Sequence, residues 1–170
     1  MATAPTRAIE LVRRSGVPFT VHEYDLPERH GRDRDARPAY GIEAAAALGV
    51  PSERVLKTLV AMADDRLVLA VLPAAGELDL KRLAVALGAR RASLAEPAAA
   101  ERATGQVVGG ISPLGSRRPM PVIVDASARG HATVFVSGGR RGLQVELAPN
   151  HLVRLCKAPW ANIRRDQGPG

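Results

Sequence analysis

The chain has 170 residues, of which 46% are hydrophobic and 24% are charged, so it can bury a core beneath a well-solvated surface. This composition excludes a disordered chain, a coiled coil and a collagen-like fibre. Aromatic residues make up only 3%, which predicts a core of Ala, Val and Leu and weighs against an RNA-binding sheet that stacks bases on aromatic rings. Lysine and arginine total 24 against 17 acidic residues, and the net charge of +7 favours an anionic partner.

Cysteine content and hydropathy predict where the protein works. The single cysteine, Cys156, is incompatible with an internal disulfide and is typical of a reducing cytoplasm. No stretch reaches the roughly 20 apolar residues that span a bilayer, and the N-terminus lacks the apolar core of a signal peptide. We therefore expect one cytoplasmic domain over residues 1–170 without membrane contact. It is expected to be a monomer because no long apolar seam is left over.

Glycine and proline separate the first elements of the chain. A helix over residues 5–15, closed by Gly16, precedes a half-buried strand over residues 19–24. Residues 27–38 carry four arginines and three acids but almost no apolar side chain, which predicts a flexible surface loop. An alanine-rich helix follows over residues 41–48.

The middle of the chain is denser in apolar residues. Residues 55–62 and 67–72 are strand-like and are joined by the Asp64-Asp65 turn, which predicts a hairpin. Asp79 is a candidate N-cap for a helix that ends near Gly88. A further short helix is predicted over residues 98–103.

The last third holds three more predicted strands, one helix over residues 149–156 and a frayed tail over residues 164–170. The turn at residues 138–142 joins the last two strands into a hairpin. Helices and strands are interspersed, so we expect an α+β fold built on a mixed sheet. The three strands cover residues 122–125, 133–137 and 143–147.

The strand at residues 55–62 is apolar except for Lys57 and Thr58. Period-two geometry places Lys57 on the same face as Val55 and Thr58 on the opposite face. An ammonium in such a run must reach water, pair with an anion or lower its pKa. Two interpretations stay open. Either the stem packs while the head is solvated, or Lys57 lies at the floor of a pocket and holds a carbonyl oxygen or a phosphate.

Two glycine-rich segments could bring backbone close to a ligand. Gly109-Gly-Ile-Ser-Pro-Leu-Gly115 is neither a Walker loop nor a dinucleotide-binding turn, and it is either a ligand loop or a tight turn between strands. Ser137-Gly-Gly-Arg-Arg-Gly142 is a hairpin turn whose arginines could also contact phosphate. Paired arginines favour a surface that follows phosphates. The pairs are Arg13-Arg14, Arg90-Arg91, Arg117-Arg118, Arg140-Arg141 and Arg164-Arg165.

No combination of residues predicts a metal site, a cofactor or a protein nucleophile. A single cysteine cannot complete a zinc-type site, and no Gly-x-Ser-x-Gly elbow is present. Cys156 lies among apolar neighbours and is expected to be a packed thiol. The histidines are scattered without paired spacing, at His22, His30, His131 and His151.

Six segments carry a resemblance that spans nearly the whole chain, from Thr6 to Ile163. They are Arg54-Val-Leu-Lys-Thr-Leu-Val, Gly76-Glu-Leu-Asp-Leu-Lys81, Ala86-Leu-Gly-Ala89, Thr104-Gly, Val107-Val-Gly-Gly-Ile-Ser-Pro-Leu-Gly115 and Val136-Ser-Gly-Gly-Arg-Arg-Gly-Leu143. In this order they resemble the YbaK/EbsC family of free-standing trans-editing proteins, which are similar to the editing domain inserted in bacterial prolyl-tRNA synthetases. The glycine block with the upstream Lys-Thr is its most specific part.

The resemblance implies a mixed, partly closed barrel-like sheet flanked by helices, together with Cys-tRNA(Pro) deacylase activity. The implied partner is the acceptor end of aminoacylated tRNA(Pro), with docking on prolyl-tRNA synthetase as a further option. By position, Lys57 becomes the essential catalytic lysine, and Gly109 and Gly110 supply the pocket backbone. The implied substrate-binding residues are Tyr24, Tyr40, Thr58, Ser112, Ser137, Gly138 and Gln144.

The sequence departs from the family pattern in three places. Gln144 stands where some relatives carry an acid, Gln106 replaces a common tyrosine, and the loop at residues 27–38 is longer. None of these changes touches the lysine or the glycine block. The implied mechanism is substrate-assisted: the thiol of the bound cysteine attacks its own ester, while Lys57 and the Gly109 and Gly110 amides hold the developing charge.

Two other functions stay open at this point. A sibling specificity would hydrolyse Ala-tRNA(Pro) or another small mischarged residue with an activated water, and it would cleave an ester that has no thiol. A non-catalytic module that binds tRNA or a synthetase would use Lys57 only to contact phosphate. Such a module would show salt-sensitive tRNA binding without turnover.

Overall fold

The structure is a computed structural model and describes residues 4–26 and 39–166. Five α-helices lie in this part of the chain: α1 (Arg7–Ser15), α2 (Tyr40–Leu48), α3 (Leu80–Leu87), α4 (Pro97–Thr104) and α5 (Pro149–Cys156). The strands are β1 (Thr20–Glu23), β2 (Leu56–Ala63), β3 (Arg66–Pro73), β4 (Ala92–Leu94), β5 (Val122–Asp125), β6 (Val134–Ser137), β7 (Leu143–Leu147) and β8 (Trp160–Ala161). Short 3-10 turns occupy Ser52–Arg54 and Ala126–Gly130.

The helices begin and end where capping chemistry predicts. The Thr6 side chain accepts a hydrogen bond from the Ile9 amide at the start of α1, and Asp79 accepts one from the Arg82 amide at the start of α3. Gly16 adopts the left-handed conformation that ends α1. All five predicted helices are confirmed, with boundaries within two residues of those expected.

The strands form two sheets. The smaller one has the order β1-β7-β6 and is antiparallel throughout. The larger one has the order β4-β2-β3-β5-β8, in which β2 pairs antiparallel with β3 and β4, whereas β5 pairs parallel with β3 and β8. Both predicted hairpins, β2-β3 and β6-β7, are present. The predicted α+β class with a mixed sheet is therefore confirmed.

The sheets do not form the partly closed barrel that the resemblance implied. Among the described residues, a single isolated parallel bridge, from Val55 to Phe135, joins the two sheets. The far end of β2, from Ala61 to Ala63, pairs with β4 instead of with the smaller sheet. One edge of β2 thus pairs with β3, and the other edge pairs with β4 at its far end and is bridged to β6 just before its start. The architecture is two open sheets that meet at one corner.

The core confirms the predicted faces of β2. Leu56 and Val60 belong to a cluster with the inner face of the smaller sheet, α1 and α5, whereas Val55 packs with Ala44, Ala45 and Phe135 in a second cluster beneath α2. Lys57 therefore lies on the α2 side of the strand, and Thr58 lies on the opposite side. The buried residues are mostly Ala, Val, Leu and Ile, as the composition predicts.

Three features differ from the sequence-based expectation or lie beyond it. Strands β4 and β8 were not predicted. Residues 164–166, expected to belong to a frayed tail, are held in place: Arg164 forms a bridge with Leu78, and the Arg165 amide donates to the Glu77 carbonyl. The predicted loop at residues 27–38 lies outside the described residues. No helix in the described ranges is long and apolar enough to cross a membrane.

Candidate functional site

Lys57 projects from β2 with its amine partly withdrawn from water. The Nζ atom donates a hydrogen bond to the carbonyl oxygen of Gly76, and it has no carboxylate partner within ion-pair distance among the described residues. Burial lowers the pKa of Lys57 below its ordinary value of 10.5, and the nearby charge of Glu77 opposes this shift. The amine is thus partly buried, and within the described residues its hydrogen bond goes to a backbone carbonyl rather than to a carboxylate.

The glycine block follows α4 and contacts the first residue of α2. Gly109 has φ +90, and a Cβ atom at this position would lie 2.5 Å from ring atoms of Tyr40, so only glycine fits. The guanidinium of Arg141 lies 4.6 Å from the centroid of the same ring. Arg141 also donates hydrogen bonds of 2.9 and 2.6 Å from Nε and Nη2 to the Val108 carbonyl. These contacts fix Tyr40 against the loop.

The glycine block and the β6-β7 turn pack directly on each other. A Cβ atom at Gly110 would lie 2.7 Å from the backbone nitrogen of Arg141. The Ser137 hydroxyl donates to the Gly110 carbonyl at 2.9 Å and accepts from the Gly139 amide at 3.2 Å. The Thr6 hydroxyl donates to the Gly138 carbonyl, so the N-cap of α1 is tied to the same turn. The structure therefore brings Gly110, Ser137 and Gly138 together.

The amides of the glycine block differ in availability. The Gly110 amide donates to the Val107 carbonyl at 2.8 Å, so it is not available to stabilise an oxyanion as the resemblance implied. The amides of Gly109 and Ile111 have no hydrogen-bond partner within the described part of the chain. Gly109 and Ile111, on either side of Gly110, therefore each keep an amide that can donate to a substrate.

Ser112 supports the loop from inside. Its side chain is fully buried, and its hydroxyl accepts a hydrogen bond of 3.1 Å from the Leu114 amide. Its amide donates to Oε1 of Gln106 at 2.9 Å. The sequence did not reveal this role of Gln106, since a single polar residue carries no periodic signal. The predicted contact of Ser112 with substrate has no support from this position.

Tyr24 and Gln144 lie side by side on the face of the smaller sheet that is turned towards α2. Gln144 is 6% exposed, and its Nε2 atom lies 3.5 Å from the Tyr24 hydroxyl. Its Oε1 atom is buried and has no hydrogen-bond partner among the described residues. Tyr24 packs on the cluster that contains Val55, which places it on the same side of β2 as Lys57. The hydroxyl of Thr58 is also buried and has no partner within the described ranges, but it lies on the other side of the strand.

The predicted site residues thus form several separate pairs in contact, and no set of contacts joins all of them. Tyr40 contacts Gly109, Gly110 contacts Ser137, and Tyr24 contacts Gln144. The cluster beneath α2 links Lys57 to Tyr24 through Val55, but no hydrogen bond joins the lysine amine to the glycine block. The acceptor of the Lys57 hydrogen bond is the backbone carbonyl of Gly76. It could not be predicted from the sequence, because every residue has such a carbonyl.

An ion-pair network lies next to Gln144 on the same sheet face. Glu146 contacts His22 at 2.9 Å and Arg54 at 3.4 Å, and the Thr133 hydroxyl donates to its Oε2 atom. The Thr133 hydrogen bond is the largest cause that lowers the pKa of Glu146 below its ordinary 4.5, and His22 and Arg54 act in the same direction. This network connects β1, β7 and the start of β2.

Neither a metal centre nor a reactive thiol is found in this part of the molecule. No three His, Cys, Asp or Glu side chains in the described ranges are grouped as metal ligands. Burial raises the pKa of Cys156 to about 12, and its Sγ atom lies 3.5 Å from the Pro113 carbonyl. Cys156 is therefore a packed thiol, as the sequence predicted.

Comparison with known proteins points to one family. The family model described as the aminoacyl-tRNA editing domain matches residues 36–155. The chain is 33% identical to EbsC of Enterococcus faecalis, provisionally named a Cys-tRNA(Pro)/Cys-tRNA(Cys) deacylase, over 93% of this chain and 92% of that protein. It is also 34% identical to a proline–tRNA ligase of Acidithiobacillus ferrooxidans over 53% of this chain, which corresponds to 16% of the ligase.

Solved structures share the fold. A crystal structure provisionally described as a trans-editing enzyme for prolyl-tRNA synthetase has a TM-score of 0.81 and 24% identity, covering 97% of this chain and 100% of the other. A crystal structure of a hypothetical protein has the same TM-score of 0.81 at 23% identity, covering 94% and 100% of the two chains. At these identities the likeness establishes the fold alone.

Proposed function

Because the chain belongs to the aminoacyl-tRNA editing domain family, we propose that it hydrolyses Cys-tRNA(Pro) in trans, after prolyl-tRNA synthetase has attached cysteine in error. The family assignment makes the protein a hydrolase of aminoacyl-tRNA esters. The choice of cysteine depends on one observation, the similarity to EbsC over nearly the full length of both chains. The partial match to proline–tRNA ligases supports the choice of tRNA(Pro).

The proposed reaction would correct an error that arises because a synthetase cannot fully distinguish amino acids of similar size. Cysteine and proline are similar in size, and an apolar pocket separates such side chains by only ~1–3 kcal/mol. A prolyl synthetase site therefore admits cysteine at a rate that binding energy alone cannot suppress. A second, hydrolytic site restores accuracy because it recognises the thiol that distinguishes the wrong amino acid.

The chemistry needs little from the protein because the ester is already activated. In the proposed mechanism the sulfur of the bound cysteine attacks its own carbonyl carbon, and a C–S bond forms. The bond from the carbonyl carbon to the ribose oxygen breaks, the thiol proton ends on that oxygen, and the tRNA departs. Cysteine leaves as a four-membered thiolactone that water opens. This route requires no protein nucleophile, so the inert Cys156 does not argue against it.

Lys57 and the glycine block are proposed to hold the charge that develops on the carbonyl oxygen. The half-buried amine of Lys57 supports this role, because an ammonium acts more strongly on an oxyanion where water is displaced. The Gly109 amide, which has no protein partner among the described residues, is the proposed second donor. Gly110 then serves to position the block against the β6-β7 turn rather than to donate.

Gln144 is proposed to receive the amino group of the substrate. Its Oε1 atom is buried and has no partner in the described part of the chain, so it is an unsatisfied acceptor to which an ammonium could donate. Tyr24, next to it, would line the same pocket, and Tyr40 would close the pocket at the glycine block. The neutral amide of Gln144 would accept a hydrogen bond from the substrate ammonium, whereas an acidic residue at this position would form an ion pair with it.

The decisive assay compares deacylation of Cys-tRNA(Pro) and Ala-tRNA(Pro) by the wild type, Lys57→Met and Lys81→Met. Met retains most of the apolar stem but removes the charge, and Lys81 is an exposed lysine on α3 that serves as the matched control. We expect cleavage of the cysteinyl ester alone. Lys57→Met should lower kcat/KM by about 10²-fold or more, in line with the loss of one oxyanion donor, while Lys81→Met matches the wild type.

Each other outcome points to a different function. Cleavage of the alanyl ester at a comparable rate would move the protein to a water-using specificity. Retention of full activity by Lys57→Met, with its fold intact by circular dichroism, would remove Lys57 from the mechanism. Absence of turnover on both esters, with salt-sensitive binding to tRNA, would leave a binding module as the better description.

A further inference from the structure

A cavity of about 300 Å³ lies between the start of α1, the end of α4 and the segment that follows the glycine block. This volume is at the lower end of the roughly 300–1,000 Å³ range that is typical of ligand pockets. No carboxylate of residues 4–26 or 39–166 lines it, and the charged groups among these lining residues are two guanidiniums. The lining residues are Arg7, Thr104, Gly105, Gln106 and Arg117.

The two arginines of this cavity have no counter-charge. Neither the Arg7 nor the Arg117 side chain has a hydrogen-bond or ion-pair partner among the described residues. Other arginines in the same molecule behave differently, since Arg82 pairs with Asp166 and Arg140 pairs with Glu23. Glu10 lines a neighbouring shallow depression together with Arg7, but it is beyond ion-pair distance. Two unneutralised guanidiniums in one cavity attract an anion.

Both arginines are mounted on fixed backbone. The Arg117 amide donates to the Thr104 carbonyl at 3.0 Å, and its side-chain stem lies 3.3 Å from where a Cβ of Gly105 would be. At Gly115 a Cβ atom would lie 2.7 Å from the carbonyl carbon of Arg7, so the end of the glycine block is pressed against the first turn of α1. The cavity walls are therefore set before a ligand arrives, which lowers the entropic cost of binding.

The cavity adjoins the glycine block and the first turn of α1. Gln106 lines the cavity and, through its Oε1 atom, also holds the Ser112 amide inside the glycine block. Thr6, next to Arg7 in sequence, donates to the Gly138 carbonyl of the β6-β7 turn. An anion bound between Arg7 and Arg117 would thus lie beside the block and the turn that flank the proposed aminoacyl pocket.

We propose that this cavity binds a backbone phosphate of the tRNA acceptor strand, with Arg7 and Arg117 as its ligands. This inference depends on the proposed function, and it adds to that function a site that binds the tRNA backbone. The aminoacyl ester sits on the terminal nucleoside of the acceptor strand, so the phosphates nearest to it must pass close to the pocket that holds the ester. The planar guanidinium fork matches phosphate oxygens in pairs.

The test compares two substrates that differ in their phosphates, Cys-tRNA(Pro) and the cysteinyl ester of adenosine. The double variant Arg7→Gln/Arg117→Gln removes both charges and leaves shorter, polar side chains. We expect kcat/KM on Cys-tRNA(Pro) to fall about 10- to 100-fold, with the adenosine ester cleaved as by the wild type. The control is Arg66→Gln/Arg154→Gln, which removes the same charge from two exposed arginines that line neither the cavity nor the candidate site, and it should leave both substrates unaffected.

A second readout separates failure of this inference from failure of the proposed function. Binding of deacylated tRNA(Pro), titrated with NaCl, requires no catalysis. The Arg7/Arg117 double variant should reduce the salt slope by about 0.7–0.9 per phosphate lost, and the Arg66/Arg154 variant should not. An unchanged slope, or an equal loss of activity on both substrates, would overturn the phosphate site. A wild type that binds tRNA with the expected slope but cleaves neither substrate would overturn only the proposed function.

Discussion

Gly110→Ala tests whether the glycine block is positioned by contact with the β6-β7 turn. The added Cβ would lie 2.7 Å from the Arg141 nitrogen and 2.8 Å from the Arg140 Cα and carbonyl carbon. Ordinary contact begins near 3.4 Å, so the block or the turn must move by about 0.7 Å. All three neighbours are backbone atoms, and none can rotate away as a flexible side chain would.

The expected cost can be worked out from these contacts. Overpacking of a rigid site typically destabilises a protein by ~1–3 kcal/mol. The displaced Gly110 carbonyl would also weaken its hydrogen bond from the Ser137 hydroxyl, worth ~0.5–1.5 kcal/mol. We therefore expect Gly110→Ala to lower the free energy of unfolding by about 2–4 kcal/mol. A displacement approaching 1 Å at a reacting centre costs ~10²-fold in rate, so kcat should fall by up to that factor.

The assay is urea unfolding followed by fluorescence or circular dichroism, with deacylation of Cys-tRNA(Pro) measured on the folded variant. Gly130→Ala is the matched control, since a Cβ there meets nothing within 4 Å and its φ is not positive. Its stability should stay within ~1 kcal/mol of the wild type or rise slightly. A Gly110→Ala protein as stable and as active as Gly130→Ala would refute the proposed positioning of the block.

Two further predictions concern titratable groups. The pKa of Glu146 is lowered in the folded state, so its charge stabilises the fold above about pH 4.5, and this stabilisation is lost as the pH falls through the lowered value. Glu146→Gln should thus reduce the unfolding free energy at pH 7 by on the order of 1 kcal/mol, and urea melts at pH 3 should show a smaller gap; a pH-independent gap would contradict this. With its pKa near 12, Cys156 should react with Ellman's reagent far more slowly at pH 8 in the native protein than in urea, and equal rates would count against a buried thiol.

The sequence was most informative where a structural element has its own local cause. Signals such as the Asp79 N-cap and the Gly16 terminus act within four residues, so the helices could be placed without knowledge of the fold. The two hairpins were equally accessible, since their turns are adjacent to their strands. Strand β8 is two residues long and, among the described strands, pairs with β5 alone, so it is too short for an alternating pattern to reveal it. The bridge between Val55 and Phe135, which replaces a closed barrel, depends on tertiary packing that no local pattern encodes.

The candidate site shows the same division. Period-two geometry correctly separated Lys57 from Thr58, because strand faces alternate whatever the fold. Which backbone amide of the glycine block is available could not be predicted, because it depends on the Gly110 amide donating to Val107. The pairing of Arg7 with Arg117 around one cavity also has no signal in sequence, since more than one hundred positions separate them.

The pairing of β1 with β7 has a consequence for the order in which parts of this protein can fold during its synthesis on the ribosome. His22 and Glu146 face each other across 124 positions, and Thr6 reaches Gly138 across 132. On a nascent chain the first strand and the cap of the first helix must therefore wait, without these partners, until the last hairpin has emerged. Closing such long loops is entropically costly and slow relative to local hairpins. A translation product that stops before β7 can contain Lys57 and the whole glycine block, yet it lacks the Gln144 side of the proposed pocket.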